Sequence, residues 1–181
     1  MRESKVFILT GDKGDGKTTL ARDVISCLQK QGFRIGGFLA MGYWQGDERS
    51  HFDLLELETE NVTLFCTRKP HSQWPSHGPF YFNPEAIRIG YDRMEEAVEL
   101  PPDLFVIDEI GKFELGGHLW DAGIIKLMKH RIFPQLWTAR RTFIPDIINR
   151  YGPKNVAIFE AGKTGPHPVC QEISLQILSP L

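Results

Sequence analysis

Eight consecutive residues near the N-terminus limit what this chain can fold into. Gly11-Asp12-Lys13-Gly14-Asp15-Gly16-Lys17-Thr18 satisfies G-x-x-x-x-G-K-[ST] at every fixed position. At average composition those fixed residues fall together roughly 4 × 10⁻⁵ times per position, or under about 1% over a chain of this length. The run also joins two different periodicities. Before it, Lys5 to Thr10 carries the apolar stretch Val6-Phe7-Ile8-Leu9 of a buried strand. After it, Leu20, Ala21, Val24, Ile25 and Leu28 recur at helical spacing from Lys17 to about Gln31, and Gly32 stops the helix. Between a strand and a helix, such a loop aims backbone N–H groups at phosphate oxygens, and the helix adds its positive end. Lys17 is then placed to reach the β- and γ-phosphates, while the Thr18 hydroxyl is a ligand for Mg²⁺.

The remaining elements fit a sheet with helices on both faces. Arg34 to Met41 reads as a second strand, and His51 to Leu57 with Val62 to Cys66 as an antiparallel hairpin. Prolines 70, 75, 79 and 84 mark a loop from Lys69 to Pro84, with a short strand at Phe80-Tyr81-Phe82. Asn83 caps a helix from Pro84 to about Glu99 that buries Ile87, Tyr91, Met94 and Val98. Leu104-Phe105-Val106-Ile107 is apolar throughout, as suits a central strand covered on both sides. Helices near His118 to His130 and Ile144 to Tyr151 alternate with strands near Phe133 to Thr138 and Val156 to Phe159. Ile173, Leu175 and Ile177 alternate with polar residues, which predicts an edge strand at the tail. The expected architecture is one three-layer α/β P-loop domain over residues 1–181, with a mostly parallel sheet and an added antiparallel hairpin.

A formal net charge of −2 gives no general field for nucleic acid or anionic membrane, so a bound anion must be held locally. No basic stripe with interleaved aromatics suggests nucleic-acid binding. Met1 to Lys5 is polar and Val6 to Leu9 is too short for a signal peptide or membrane span. Cys27, Cys66 and Cys170 are isolated and odd in number, the pattern of reduced thiols in a cytoplasmic protein. The six histidines lack metal-ligand spacing. Trp44, Trp74, Trp120 and Trp137 are read as core residues rather than base-stacking platforms.

The apolar strand ends in Asp108-Glu109. Beside a phosphate loop, a carboxylate here can hold Mg²⁺, which assigns Asp108 to the metal with Thr18. Glu109 is placed to orient and deprotonate a water at the γ-phosphate. The whole run Ile107-Asp108-Glu109-Ile110-Gly111-Lys112-Phe113-Glu114-Leu115 resembles the D-E-I-G-K-[MF]-E-L signature of the small P-loop nucleoside-triphosphatases of thermophiles, a family with a human cancer-related member. Gly36-Gly37-Phe38 and Gly78-Pro79-Phe80-Tyr81-Phe82-Asn83 are similar to two further pieces of that family in the expected order. The segment Gly46-Asp47-Glu48-Arg49-Ser50-His51-Phe52 only loosely matches the family's glycine, arginine, glycine-phenylalanine pattern.

The resemblance implies Mg²⁺-dependent hydrolysis of ATP, GTP or other nucleoside triphosphates to diphosphate and phosphate. The candidate nucleotide-binding set is Gly11, Asp12, Lys13, Gly14, Asp15, Gly16, Lys17, Thr18 and Thr19, with Ile107, Gly111 and Lys112 from the second run. Lys13 is either a phosphate contact or a solvated loop charge, and Lys112 either meets the γ-phosphate or pairs with Glu114. Glu109 and Lys17 are the catalytic candidates. They are joined by Arg141, which with Arg140 follows a predicted strand and is either a transition-state cation or part of a solvated turn. The alternative function is a P-loop kinase whose Gly42–Pro84 region binds a small acceptor. A third is a nucleotide-timed binding module, although the absent N-K-x-D motif argues against a dedicated GTP switch.

Overall fold

The structure, a computed structural model, describes residues 5–130 and 133–179. The outermost residues of the expected domain, 1–4 and 180–181, lie outside the described residues, as do 131–132. In chain order the elements begin with β1 (Val6–Gly11), α1 (Lys17–Lys30), β2 (Ile35–Gln45), β3 (Glu48–Glu56) and β4 (Val62–Thr67). The short strands β5 (Ser76–His77) and β6 (Phe80–Phe82) lead to α2 (Pro84–Glu99), β7 (Leu104–Ile110), α3 (Lys112–Leu115) and α4 (Asp121–His130). Then come β8 (Gln135–Arg140), a 3-10 turn (Arg141–Phe143), α5 (Ile144–Tyr151), β9 (Val156–Glu160) and α6 (Pro166–Leu178).

All strands join one sheet in the order β5-β6-β4-β3-β2-β7-β8-β1-β9. From β2 to β9 neighbouring strands are parallel, with β7 and β8 separating β2 from β1. From β2 outward through β3, β4, β6 and β5 every pairing is antiparallel, so the addition is larger than the expected hairpin. β1 is buried along its whole length, as its unbroken apolar run demands. Side chains alternate between faces: Phe7 and Leu9 pack with α1 and α6, while Val6 and Ile8 share the opposite core with α2, α4 and α5. This gives the three layers.

Gly37 explains why two glycines open the strand beside β7. Its φ is 100°, and a Cβ there would lie 2.1 Å from the Val106 carbonyl oxygen, so only glycine lets the backbones approach this closely. Helix α2 starts as expected, with Asn83 accepting a hydrogen bond from the Glu85 N–H. Its innermost stripe is shifted, however. Ala86, Gly90, Met94 and Ala97 are fully buried, because the bulk of Trp120 fills the space beside small residues, and Ile87, Tyr91 and Val98 pack along the flank.

Two expectations fail in the C-terminal third. The tail is helix α6, not an edge strand: Val169, Cys170, Ile173 and Ile177 recur at helical spacing and pack toward α1, whereas Leu175 is 60% exposed. Pro166 sits in its first turn, where no N–H is needed. That helix also overturns the expectation of unpaired thiols. Cys170 meets Cys27 of α1 in a disulfide across 143 residues, with Cα atoms 6.3 Å apart. Cys66 remains a free, buried thiol, and burial pushes its pKa up to about 12. Among the described residues no helix is long and apolar enough to cross a membrane.

Candidate functional site

The loop between β1 and α1 turns through Gly14 and Gly16, whose φ values of 93° and 82° suit residues without a Cβ. Lys17 follows as the first helical residue, 5% exposed, and donates to the carbonyl oxygens of Asp12 at 2.8 Å and Gly11 at 3.4 Å. The loop's own shape is held by Asp15, which accepts the Asp12 N–H at 2.6 Å. Thr18 reaches across to β7, where its hydroxyl donates to Asp108 at 3.0 and 3.3 Å.

Asp108 is fully buried, and donors from three other elements converge on it. Besides Thr18 these are the Ala40 N–H of β2 at 3.0 Å and the Thr138 hydroxyl of β8. Burial, reinforced by the charge of Glu109, raises its pKa to about 7 against these hydrogen bonds. Among the described residues no lysine or arginine pairs with it. A buried carboxylate beside a hydroxyl, with no cation of its own, is a donor set that suits a small hard metal ion.

Neighbours on a strand normally point to opposite faces. Here Asp108 and Glu109 together oppose the single residue Thr138, since Ile107 pairs with Trp137 and Ile110 with Ala139. This is a bulge. Glu109 takes a φ of 62°, its N–H donates to the Thr138 hydroxyl at 2.8 Å, and its side chain lines the phosphate-loop cavity of about 310 Å³. Lys17, Thr18 and Thr19 line the same cavity.

The other candidates divide. Lys13 places its ammonium 5.4 Å from the centre of the Trp44 ring. Ile107 is fully buried in the core. Gly111 and Lys112 line a neighbouring cavity, where Lys112 lies over the Phe113 ring. Glu114 does not pair with Lys112; it accepts the Gly111 N–H at 3.0 Å, and burial pushes its pKa up to about 8. Arg140 faces that neighbouring cavity, and Arg141 pairs with Glu160 at 2.7 Å.

Two residues of the β2–β3 hairpin outside the candidate set also line the phosphate-loop cavity. Trp44 is 48% exposed rather than core, because β2 runs past the sheet's covered part and carries it over the phosphate loop. Trp120 and Trp137 are core as expected, while Trp74 stacks on His71 near the surface. The Arg49 guanidinium lies 4.1 Å from the Trp44 ring, donates to the Gly42 carbonyl and faces the cavity. Lost hydration lowers its pKa, opposed by the charge of Glu109. Among the described residues it has no carboxylate ion pair.

Residues 6–165 match the family described as NTPase. The chain belongs to the NTPase family. It is 28% identical over 170 residues to nucleoside-triphosphatase THEP1 of Thermotoga maritima, covering 92% of each chain. It is 26% identical over 148 residues to the protein of that name from Pyrococcus abyssi, covering 81% of this chain and 78% of that one. Among solved structures, a human cancer-related nucleoside triphosphatase superposes with a TM-score of 0.70 at 23% identity, covering 98% of this chain and 99% of the other. THEP1 from the hyperthermophile Aquifex aeolicus gives 0.68 at 22% identity, covering 95% and 98%. These NTPase-family folds share the α/β architecture described above.

Proposed function

We propose that this chain, as one domain over residues 1–181, is a Mg²⁺-dependent nucleoside-triphosphatase that cleaves ATP, GTP or other nucleoside triphosphates to diphosphate and phosphate. One observation carries the reading: Lys17, Thr18 and Glu109 line a single cavity, and Thr18 is hydrogen-bonded to Asp108. The names of the THEP1 relatives support the same activity. Loop N–H groups and Lys17 hold the triphosphate, with Lys17 exchanging its carbonyl partners for phosphate oxygens. Thr18 and Asp108 hold Mg²⁺. When bound, the ion supplies neutralising charge at the β- and γ-phosphate oxygens.

Glu109 takes the proton of the attacking water. The bulge turns it toward the cavity, while Asp108 stays hydrogen-bonded to Thr18, the pair that would hold the ion. Arg49 stabilises charge on the transferring phosphoryl group, a role for which the cavity-facing guanidinium is better suited than the Glu160-paired Arg141. Isothermal titration and phosphate release with Lys17→Ala, across a panel of Mg²⁺-nucleotides, test this reading. The variant should lose triphosphate binding while keeping its fold. Wild-type affinity in the variant would remove the triphosphate from the loop.

A further inference from the structure

Behind Glu109 lies a second cavity, of about 280 Å³. It meets the phosphate-loop cavity along a shared wall: Ala40, Phe52 and Glu109 line both. A water in bulk occupies about 30 Å³. A hydrolase needs room for one, so this space is about nine times larger than the nucleophile it would serve. Its walls are unlike a water site too, because Phe52, Phe80, Phe82 and Phe113 are among the aromatic residues that line it. Phe52 packs edge-on against Phe80, and Phe82 against Phe113, with centroids 5.6 and 5.4 Å apart.

The polar groups are few and placed by different elements. Glu109 stands at the junction with the phosphate loop, Lys112 at the start of α3 and Arg140 at the end of β8; Glu114 also lines the cavity, but it is buried, accepts the Gly111 N–H and has its pKa raised to about 8, which favours its neutral form. Arg140 is exposed and, among the described residues, has no carboxylate partner. Aromatic walls with a small number of fixed charges are what a site for a planar organic anion presents. The nucleobase does not compete for this space. Glu109 marks the γ-phosphate end of the triphosphate, and the base lies at the other end of the same molecule.

We infer that this cavity seats a second substrate, a small ring-bearing anion with a hydroxyl group, to which the γ-phosphoryl group is transferred in place of water. The inference rests on the triphosphate reading above. In the transfer, the hydroxyl oxygen forms a bond to the γ-phosphorus as the bond from that phosphorus to the β–γ bridging oxygen breaks. The nucleoside diphosphate leaves, and the hydroxyl proton passes to Glu109. The ring packs among the four phenylalanines, and its anionic group is held by Lys112 and Arg140. This assigns a role to the Gly111-Lys112-Phe113 part of the family signature and to the antiparallel extension of the sheet, neither of which the phosphate loop requires.

The probe is 4-(hydroxymethyl)benzoate, which carries a ring, a carboxylate and a hydroxyl. Its binding is followed by saturation-transfer NMR, and its phosphorylation by the fate of label from Mg²⁺-[γ-³²P]ATP. Saturable binding is expected, with part of the label moving from inorganic phosphate to an acid-stable ester. Phe80→Ala removes one half-buried wall and should weaken the probe about three- to tenfold, the worth of one aromatic pair, leaving probe-free hydrolysis unchanged. Cys66→Leu, which fills the cavity from the β4 side, should weaken it at least as much. Absence of saturable binding, or equal binding by wild type and both variants, overturns the cavity assignment. Saturable binding with all label in inorganic phosphate overturns the transfer. A wild-type protein that binds the probe yet neither binds nor hydrolyses ATP would sink the triphosphate reading and leave the cavity standing.

Discussion

Glu109 combines the proposed role of base with a strained backbone, and two substitutions separate them. Both Glu109→Gln and Glu109→Gly delete the carboxylate, and both relieve Asp108 of the negative charge that helps raise its pKa. They differ in the backbone. At a φ of 62° a residue with a Cβ costs about 1–2 kcal/mol, which glycine escapes. The extra freedom of glycine in the unfolded chain takes back about 0.5–1 kcal/mol. The side chain is only partly buried, so its packing adds little to the difference. Glu109→Gly should therefore be more stable than Glu109→Gln by about 0.5–1 kcal/mol, or about 1–4 °C in Tm for a chain of this size. Urea titration and calorimetry at one pH measure the gap, and phosphate release at saturating Mg²⁺-ATP runs beside them. Both variants should lose about 10²–10⁴-fold in kcat. A glutamine variant as stable as the glycine variant would refute the strain argument, and a fully active one would remove Glu109 as the base.

Arg49→Ala should lower kcat by roughly 10³-fold or more while changing ATP affinity little, and should abolish trapping of ADP with tetrafluoroaluminate. Arg49→Lys should recover little, since lysine lacks the planar fork that stacks on Trp44 and meets two oxygens; wild-type kcat in either would exclude the role. Glu114 bears on pH. Its folded pKa, about 8, lies above the ordinary 4.5, so the protonated form favours folding. That contribution is whole below about 4.5 and is lost as pH rises to about 8. Glu114→Gln, still able to accept the Gly111 N–H, should flatten the fall in urea midpoint across that window, and an unchanged slope would count against it.

What was legible in the sequence was contiguous. The phosphate loop is a single run whose residues act where they stand, and Asp108-Glu109 announces itself at the end of an apolar strand. Even there the bulge was hidden, because it exists only against Thr138, 30 residues from Asp108. Arg49 and Trp44 were illegible for a related reason: their motif match is loose, and they reach the loop only through the long β2–β3 hairpin. The tail was misread because Ile173 and Ile177 fit a two-residue and a four-residue spacing alike. Val169 and Cys170, taken with them, decide for the helix. Missing that helix meant missing the partner of Cys27.

The sheet ends differently on its two sides. At one side the last strand, β5, is two residues long, too brief a template for another chain. At the other, the five-residue β9 has, among the described residues, no strand on its outer side, with Ile158 48% exposed along it. Its inner side pairs with β1, the strand that launches the phosphate loop. Edge-to-edge stacking of copies thus has one open side to use, and that side adjoins the nucleotide site rather than the aromatic extension. Aggregation by this route would disturb the loop's supporting strand first and leave the far end of the sheet intact until later.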